Sequence, residues 1–588
     1  MPDYKTPGVY IEEISTLPAS VAAVATAIPA FVGYTQKKER NGETILDATP
    51  VRITSMLEYQ EIFGMPFDEQ YAITLSPNPD DPDITDISIP EPSGVSPYLL
   101  YYQLQMFYAN GGGPCHVVSV GTYVDAPASS SDISVGDLEA GITALEQEDE
   151  PTLLVVPEAV HLDSTDRTTI HNQLLAQCNK LQDRFAIMDA LANPDTNTVV
   201  QDAAAFRDEV GTSNLKYGAS YYPSLKTSLN RYYNDASVLI TDNRPTAGEG
   251  PYHLSSLKVI GEGDNYAVGQ ISFSGNDVVG DVFDIDGETF EAVASEGDDP
   301  VTGDHGFVRG SGPATTAASL LEAIREAGNE NYTAERSAEI ITLTATAEGT
   351  AGAGIVLTYT DNGGGEASVS GNGTFEIIDP DKTLYNRIKN RLDRSVELYP
   401  SGAMAGIYAR VDRQRGVWKA PANVSVNRVR EPGLPISSQD QEGLNVDATT
   451  GKSINAIRQF AGKGTMVWGA RTLAGNDNEW RYIPVRRLFI FVEESIEKAT
   501  EFVVFEPNDA KTWLRVKSMI ENFLAKLWRD GALAGATPDE AFFVKVGLGQ
   551  TMTPLDILEG RMIIEVGLAA VRPAEFIILK FSHKLQES

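Results

Sequence analysis

The clearest helical pattern of apolar and polar residues in this chain runs from Asp509 to Arg529. At 100° per residue, the large apolar side chains of this stretch fall on one face: Trp513, Val516, Ile520, Leu524 and Leu527. Asp509, or Asn508 before it, is a residue type that caps the start of a helix, and Gly531 is suited to end one. The pattern therefore predicts one long amphipathic helix whose apolar face is part of a core.

The opposite face of this predicted helix is basic. Four cations lie within about 60° of one another around the helix axis, with few acidic residues between them: Lys511, Arg515, Lys526 and Arg529. Most charged stripes are solvated helix faces, and that interpretation stays open. The alternative is a surface that binds an acidic partner.

Between residues 31 and 245, short β-prone runs alternate with helical patterns. Strands are predicted near residues 30–34, 115–120, 152–156, 184–188 and 217–222, and helices near 55–63, 98–108, 168–181 and 198–210. Alternation of this kind predicts an α/β domain over residues 31–245.

Residues 246–378 differ from this pattern, because short β runs are separated by Gly, Asp and Asn. Asp286-Gly287 predicts a tight hairpin, and one helix is predicted near 316–327. Only four Lys and Arg residues stand in this acidic stretch. We interpret it as an inserted, β-rich outer domain.

Residues 379–573 are predicted to form a C-terminal core of mixed α and β structure. Helices are predicted near 382–398, 454–460 and 483–500, in addition to the long amphipathic helix, and a strand near 464–470. The chain as a whole is therefore a multidomain α/β protein.

The two ends of the chain are predicted to be extended arms. Residues 1–30 lack a helical period and contain a β-prone run, Val9-Tyr10-Ile11. Residues 574–588 contain a second run, Phe576-Ile577-Ile578-Leu579, after which nothing follows that could pair with it. A terminus without fixed structure is the ordinary alternative for the first arm.

Charge is divided unevenly along the 588 residues. The formal net charge is −36, with 17 Lys and Arg against 57 Asp and Glu in residues 1–380, and 29 against 25 in residues 381–588. An acidic surface keeps a large assembly soluble and argues against nucleic acid as the partner. Domains that simply differ in composition would give the same numbers. The sharper interpretation is that the acidic part faces solvent and the C-terminal part faces a partner.

The remaining composition favours a protein made in a reducing cytoplasm. Cys115 and Cys178 are too few for a disulfide framework. The longest apolar run, at residues 17–32, is too short and too weakly hydrophobic to span a bilayer, so direct membrane insertion is not expected. Glu12 and Glu13 stand where a signal peptide would be basic.

Residue types that carry chemistry do not form a recognisable site. Gly451-Lys452-Ser453 resembles the end of a phosphate loop, but Val446 stands where the first glycine is needed. The six histidines lack the spacing of metal ligands. We therefore expect no catalytic residue, no cofactor and no metal, and interpret the protein as not being an enzyme.

Several separated strings of residues do form a recognisable series. They are residues 400–403 (PSGA), 405–410 (AGIYAR), 415–423 (RGVWKAPAN), 467–473 (VWGARTL), 505–509 (FEPND), 531–533 (GAL), 541–544 (AFFV) and 572–577 (RPAEFI), with 6–13 (TPGVYIEE) near the start. In this order the strings resemble the contractile tail-sheath family: phage tail sheaths and the sheaths of phage-derived injection particles of the antifeeding-prophage type. The match at residues 6–28 favours an injection particle.

The resemblance implies a structural subunit. Copies of the chain would stack as rings, hexameric as in the family, around an inner tube protein, between baseplate and terminal cap proteins. The array would shorten and drive the tube through a target membrane, which is a switch between two packings of the same subunits. Assembly would take place in the bacterial cytoplasm, before the sheath becomes part of a contractile particle or virion tail.

The resemblance also gives the candidate residues their roles. The runs at Val9, Tyr10 and Ile11 and at Phe576, Ile577, Ile578 and Leu579 would add strands to neighbouring subunits. Lys511, Arg515, Lys526 and Arg529 would face the tube. An adhesive or receptor-binding tail protein, which the acidic β-rich stretch also suits, is the alternative.

Overall fold

The computed structural model describes residues 21–77, 85–89, 96–124, 128–193, 196–244, 251–257, 266–275, 278–295, 300–301, 304–337, 339–362, 366–370, 373–377 and 382–578. Val9, Tyr10, Ile11 and Leu579 lie outside the described residues.

A nine-stranded sheet forms the centre of the molecule. In spatial order its strands are Val424–Ser425, Gly464–Val467, Asn455–Phe460, Gly218–Tyr222, Phe185–Asp189, Leu153–Val155, Pro29–Thr35, Cys115–Thr122 and Thr49–Ile53. The six strands from Asn455–Phe460 to Cys115–Thr122 are parallel to one another, and the outer ones pair antiparallel. Parallel strands need cover on both faces, which explains their continuous apolar sequences.

Helices cover both faces of this sheet. The Phe31 ring contacts Phe107 of the helix Leu100–Ala109, with 5.4 Å between ring centroids. The next residue, Val32, faces Gly141 of the helix Val135–Ala144. Because successive side chains of a strand point to opposite faces, these two helices lie on opposite sides. The predicted α/β class is therefore correct.

The helices of the described residues are Met56–Phe63, Leu100–Ala109, Val135–Ala144, Ser164–Leu181, Val199–Glu209, Pro313–Ala327, Lys382–Leu392, Ser401–Arg415, Ser438–Asn445, Ile483–Thr500, Ala510–Arg529, Pro538–Ala541 and Pro554–Leu558. Two smaller sheets flank the central one. They are formed by Ser395–Leu398, Leu225–Asn230 and Val429–Pro432, and by Tyr252–His253, Val238–Asp242, Tyr71–Pro77 and Thr85–Ser88. A short hairpin joins Glu39–Arg40 to Glu43–Thr44.

Two predicted helices are wrong in whole or in part. Residues 454–460 form the strand Asn455–Phe460, which turns back into Gly464–Val467 through Gly462 and Gly464, both at positive φ. A short apolar run is compatible with a helix or with a buried strand. Here the hydrogen bonds to the parallel strand Gly218–Tyr222 stabilise the strand. The helix predicted at 382–398 ends at Leu392 and is followed by the strand Ser395–Leu398.

The central sheet crosses the boundary that the sequence suggested near residue 379. Strands from residues 424–467 extend a sheet whose other members come from residues 29–222. One hydrophobic core also includes side chains from both parts, such as Phe31 and Tyr408. Residues 31–245 and the first part of the C-terminal region are therefore one folded unit.

The β-rich stretch has a hydrophobic core of its own. Two sheets and the helix Pro313–Ala327 surround it. The strands are Tyr332–Ser337, Ile340–Glu348, Tyr266–Phe273, Ala367–Val369 and Glu376–Ile377 in one sheet, and His305–Val308, Glu288–Val293, Val282–Ile285 and Leu357–Thr360 in the other. Leu257, which precedes the first strand of this core, and Leu384, which follows its last strand, pack into one further hydrophobic cluster. The chain therefore leaves and re-enters the rest of the molecule at neighbouring points.

The helices Leu100–Ala109 and Ser401–Arg415 cross closely on one face of the central sheet. On the helix Ser401–Arg415, a Cβ at Gly402 would lie 2.3 Å from Oε1 of Gln103, and a Cβ at Gly406 would lie 2.3 Å from the carbonyl oxygen of Phe107. The amide of Gly402 donates to Gln103 Oε1 at 3.0 Å, and Gln103 Nε2 donates to the carbonyl of Tyr399 at 2.9 Å. The small residues in the 400–410 strings are thus required by this crossing.

We expect Gly406→Ala to destabilise the protein by about 1–3 kcal/mol, because the added methyl meets main chain that can move only with its helix. Gly443→Ala is the matched control. It also lies in a helix, and its added Cβ meets nothing within 4 Å, so it should be neutral or stabilise by up to about 1 kcal/mol. Chemical unfolding of both variants measures the difference. Equal effects would contradict the importance of the crossing.

Candidate functional site

The predicted long helix is present at Ala510–Arg529 and organises the C-terminal end. The Asp509 side chain accepts a hydrogen bond from the amide of Thr512 at 2.9 Å, and Gly531 follows the helix at a φ of +87°. The buried face consists of Val516, Met519, Ile520, Phe523, Leu524 and Leu527. Trp513, at the edge of this face, donates its indole N–H to Asn508 Oδ1 at 2.6 Å. The start, end and core face of this helix are therefore as predicted.

The four cations of the predicted stripe are exposed on the other face of this helix. The Arg515 guanidinium stacks over the Phe502 ring at 4.6 Å, which fixes its side chain near the start of the helix. Beside the stripe, Lys517 and Glu521 form an exposed pair at 3.7 Å. The four ammonium and guanidinium groups are thus exposed on one face of the helix.

A two-stranded hairpin packs against the long helix. We call Phe542–Val546 and Ile564–Leu568, which pair antiparallel over their whole length, the terminal hairpin. The side chains of Val544 and Val546 are on the buried face of this hairpin, and the Phe543 ring covers Gly567 on the outer face. In the described part of the chain these two strands form a sheet by themselves. Their outer edges therefore leave main-chain groups open to a further strand.

The N-terminal segment at residues 21–28 crosses the helix Ile483–Thr500 as extended chain. The amide of Val24 donates to Ser495 Oγ at 3.2 Å, and Arg487 Nη2 donates to the carbonyl of Thr26 at 2.5 Å. Arg487 is itself held by a buried ion pair with Asp412 at 2.6 Å. Residues 21–28 are thus fixed to their own chain before they enter the strand Pro29–Thr35.

At the other end, residues 571–578 have no regular secondary structure and form no strand with described residues of their own chain. Phe576, Ile577 and Ile578 are 71, 79 and 79% exposed. Three consecutive exposed apolar side chains are unfavourable for an isolated protein and are typical of a segment that binds a partner.

The carboxyl ends of the parallel strands, where α/β proteins commonly bind ligands, are occupied by the protein itself. Glu158 Oε1 accepts hydrogen bonds from the amides of Leu99 and Leu100, at 3.0 and 2.8 Å, at the start of the helix Leu100–Ala109. Asp189 Oδ1 accepts one from the amide of Ser401 at 2.8 Å, at the start of the helix packed against it. These buried carboxylates cap helices.

Burial shifts the pKa of both carboxyl groups. It raises the pKa of Glu158 to about 8 and that of Asp189 to about 7, although the hydrogen bonds from the helix amides act in the opposite direction.

The lysine of Gly451-Lys452-Ser453 also has a structural partner. Its buried ammonium donates to the carbonyls of Arg207 and Val210, at the end of the helix Val199–Glu209. Arg207 in turn donates to the carbonyls of Gly443 and Leu444, at 2.7 and 3.1 Å, at the end of another helix. The segment that resembles a phosphate loop therefore joins two helix ends.

No group of three or more His, Cys, Asp and Glu side chains in the described residues is arranged to hold a metal ion. None of the described helices is both long and apolar enough to cross a membrane.

Comparison with known proteins points to one family. Residues 475–584 match the family model of the phage tail sheath C-terminal domain. The tail sheath protein of Vibrio phage KVP40 is 28% identical over 210 residues, which are 35% of this chain and 29% of that protein. The tail sheath protein of Enterobacteria phage T4 is 25% identical over 154 residues, which are 26% of this chain and 22% of that protein. The aligned regions thus span less than a third of these curated relatives.

Two solved structures match along nearly the whole chain. The sheath complex of the extracellular contractile injection system PVC, in the contracted state, is 26% identical, with a TM-score of 0.52 and 99% of each chain covered. The helical sheath of the anti-feeding prophage, also in the contracted state, is 27% identical, with a TM-score of 0.52 and 99 and 100% of the two chains covered.

Glu158→Gln tests the role of burial at the helix starts. The native state holds the Glu158 proton more tightly than the unfolded chain, whose carboxyl keeps a pKa near 4.5. The stabilisation from this group is therefore complete below pH 4.5 and is lost as pH rises to about 8, at up to about 1.4 kcal/mol per pH unit. We expect the unfolding free energy of Glu158→Gln to fall less steeply across this window. Glu431→Gln, at an exposed carboxylate, is the control, and parallel pH profiles for wild type and Glu158→Gln would contradict the prediction.

Proposed function

Because this chain belongs to the contractile tail-sheath family, we propose that it is the protomer of a helical sheath that surrounds an inner tube. The sheath shortens and drives the tube through a target membrane. The similarity to injection-system sheaths along almost the whole chain carries this proposal. The work comes from repacking of identical subunits, so the extended sheath is the less stable arrangement and is held until it is triggered.

We propose that neighbouring subunits are joined by strand addition at the terminal hairpin. Its two open edges supply main-chain donors and acceptors, and the β-prone runs at Val9-Tyr10-Ile11 and Phe576-Ile577-Ile578-Leu579 are the strands that pair with them. About four hydrogen bonds per added strand, at ~0.5–1.5 kcal/mol each, would contribute ~2–6 kcal/mol. Such links hold neighbours together while the folded bodies between them rotate.

The basic stripe is proposed to face the inner tube. Its cations are exposed on the helix Ala510–Arg529, whose opposite face is buried in the C-terminal core. A single exposed ion pair contributes only ~0–1 kcal/mol. Repetition over many subunits makes the sum large enough to keep sheath and tube in register, while each contact stays weak enough to release.

The acidic insert is proposed to lie on the outside of the sheath, away from the tube. Its separate core and its adjacent points of entry and exit allow it to project from the body. The further partners we propose are baseplate and cap proteins at the ends of a stack of six-membered rings. Assembly would take place in the bacterial cytoplasm.

Deletion of residues 1–20 tests the arms. We expect folded monomers that form no cylinders in negative-stain electron microscopy, because the body keeps its core from residue 21 onward. Val9→Pro should have the same effect, since proline removes a main-chain donor. Val9→Thr, which keeps a β-branched side chain, is the matched control. Normal cylinders from the deletion would refute strand addition, and cell-binding particles in place of cylinders from the full chain would favour the adhesive alternative.

Reversing the stripe with Lys511→Glu, Arg515→Glu, Lys526→Glu and Arg529→Glu tests the tube contact. We expect a normally folded protein that assembles poorly around tubes, because like charges would meet across the interface. The control reverses exposed cations elsewhere, at Arg40, Arg415, Arg430 and Lys463. Co-sedimentation with tubes measures the difference. If both variants were recovered with tubes equally well, the basic stripe would not be the tube contact.

A further inference from the structure

The C-terminal tail is tied to the body through one carboxylate. After the amide of Val571, which donates to the carbonyl of Ala532 at 3.3 Å, the next firm contact is at Glu575. Arg471 donates to both oxygens of Glu575, from Nε to Oε1 at 3.0 Å and from Nη2 to Oε2 at 2.5 Å. Asn445 Nδ2 donates to Oε1 at 2.8 Å, and the Tyr482 hydroxyl donates to Oε2 at 3.2 Å. Three side chains from separate parts of the chain thus converge on this group.

The arginine of this contact is held rigidly. Arg471 is 4% exposed, and its amide donates to Asn455 Oδ1 at 2.8 Å. Asn455 Nδ2 donates back to the carbonyl of Arg471 and also to the carbonyl of Ser220, at 2.8 and 3.0 Å. Asn455 begins a central strand, and Ser220 belongs to the neighbouring one. The tail is therefore linked through two residues to the middle of the central sheet.

The exposure of the tail changes at this point. A groove of about 760 Å³ runs beside it, bounded by the body at Gln441 and Trp468 and by the tail at Glu575 and Phe576. The Glu575 side chain is 21% exposed, whereas Phe576 is 71% exposed. The tail therefore lines one side of an open groove, and its side chains become exposed directly after Glu575.

The pKa of Glu575 is consistent with a stable ion pair between Glu575 and Arg471. Burial alone would raise the pKa of Glu575, but the hydrogen bonds from Arg471 and Asn445 and the charge of Arg471 hold that pKa below its usual range. The carboxylate is thus charged at neutral pH. A half-buried pair of this kind adds little net stability, so its specific geometry is the more informative property.

We propose that the Glu575–Arg471 pair is the anchor that sets where the C-terminal arm begins. Residues up to Glu575 move with the body, and residues from Phe576 onward are free to join a neighbouring subunit. The mechanical part of this inference rests on the proposed sheath function. A pull on the arm is then delivered through Arg471 and Asn455 to the central sheet, and largely bypasses the terminal hairpin.

A spin label tests the anchor in the isolated full-length chain. Placed by Ala574→Cys, an exposed position between Val571 and Glu575, it reports whether this part of the tail is immobilised. We expect the label to become several-fold more mobile in Glu575→Gln and in the double variant Glu575→Gln with Arg471→Met. A label at Ile578→Cys, beyond the anchor, should be mobile in every variant.

The double variant separates anchoring from stability. Arg471→Met alone leaves the Glu575 carboxylate without its charge partner and should lower the unfolding midpoint, whereas the double variant should recover much of that loss. A double variant that unfolds like wild type and still shows the mobile label supports the anchor. An equally immobile label at residue 574 would overturn it. Glu431→Gln, which removes the exposed ion pair with Lys226, is the control.

Assembled particles test the mechanical part. We expect the double variant to form cylinders, since its arm sequence is intact, but to break into short pieces under shear that leaves wild type whole. Cylinders as resistant as wild type would refute transmission through Arg471. If the wild-type chain formed no cylinders, the proposed function would fail, and the label at residue 574 would still decide the anchor.

Discussion

Main-chain N–H and C=O groups that leave water must find hydrogen-bond partners, and this requirement decides which parts of the molecule are closed. Most of these groups in the central sheet pair internally, because six parallel strands are flanked by antiparallel ones, and one edge strand, Val424–Ser425, is only two residues long. In the terminal hairpin, each strand forms main-chain hydrogen bonds on one side alone. The exposed residues Phe576, Ile577 and Ile578 form no strand with the described part of their own chain. The open groups of one subunit and the unpaired chain of another are complementary in the proposed assembly.

The same requirement explains the buried charges. Helix ends leave four unpaired groups each and carry partial charges of opposite sign. Glu158 and Asp189 stand at positive N-terminal ends, and Lys452 and Arg207 at negative C-terminal ends. Each of these side chains belongs to a different part of the sequence from the helix it completes. Charged residues of this kind can suggest catalysis when only the sequence is known. In this fold they connect helix ends to distant segments of the chain.

Local patterns in the sequence predicted local structure well. The helix that follows Asp509 has a strong period, a capping side chain and a terminating glycine, and all three act within a few residues of one another. Residues 454–460 lacked such signals, since a short apolar run is compatible with either structure, and the strand that joins them to the central sheet, Gly218–Tyr222, lies more than 200 residues away. The anchor was hidden for a similar reason. Arg471 and Glu575 stand in two strings that the sequence resemblance singled out, but their pairing across 104 residues exists only in the fold.

The position of the first strand affects how the protein bears tension. Residues 21–28 lead directly into Pro29–Thr35, which has a parallel neighbour on each side in the interior of the sheet. Removing this strand from the sheet would break its hydrogen bonds to both neighbours. A strand at the rim of a sheet is held by bonds to one neighbour alone. An interior strand joined to a terminal segment is therefore suited to the proposed sheath, in which that segment would carry load between subunits.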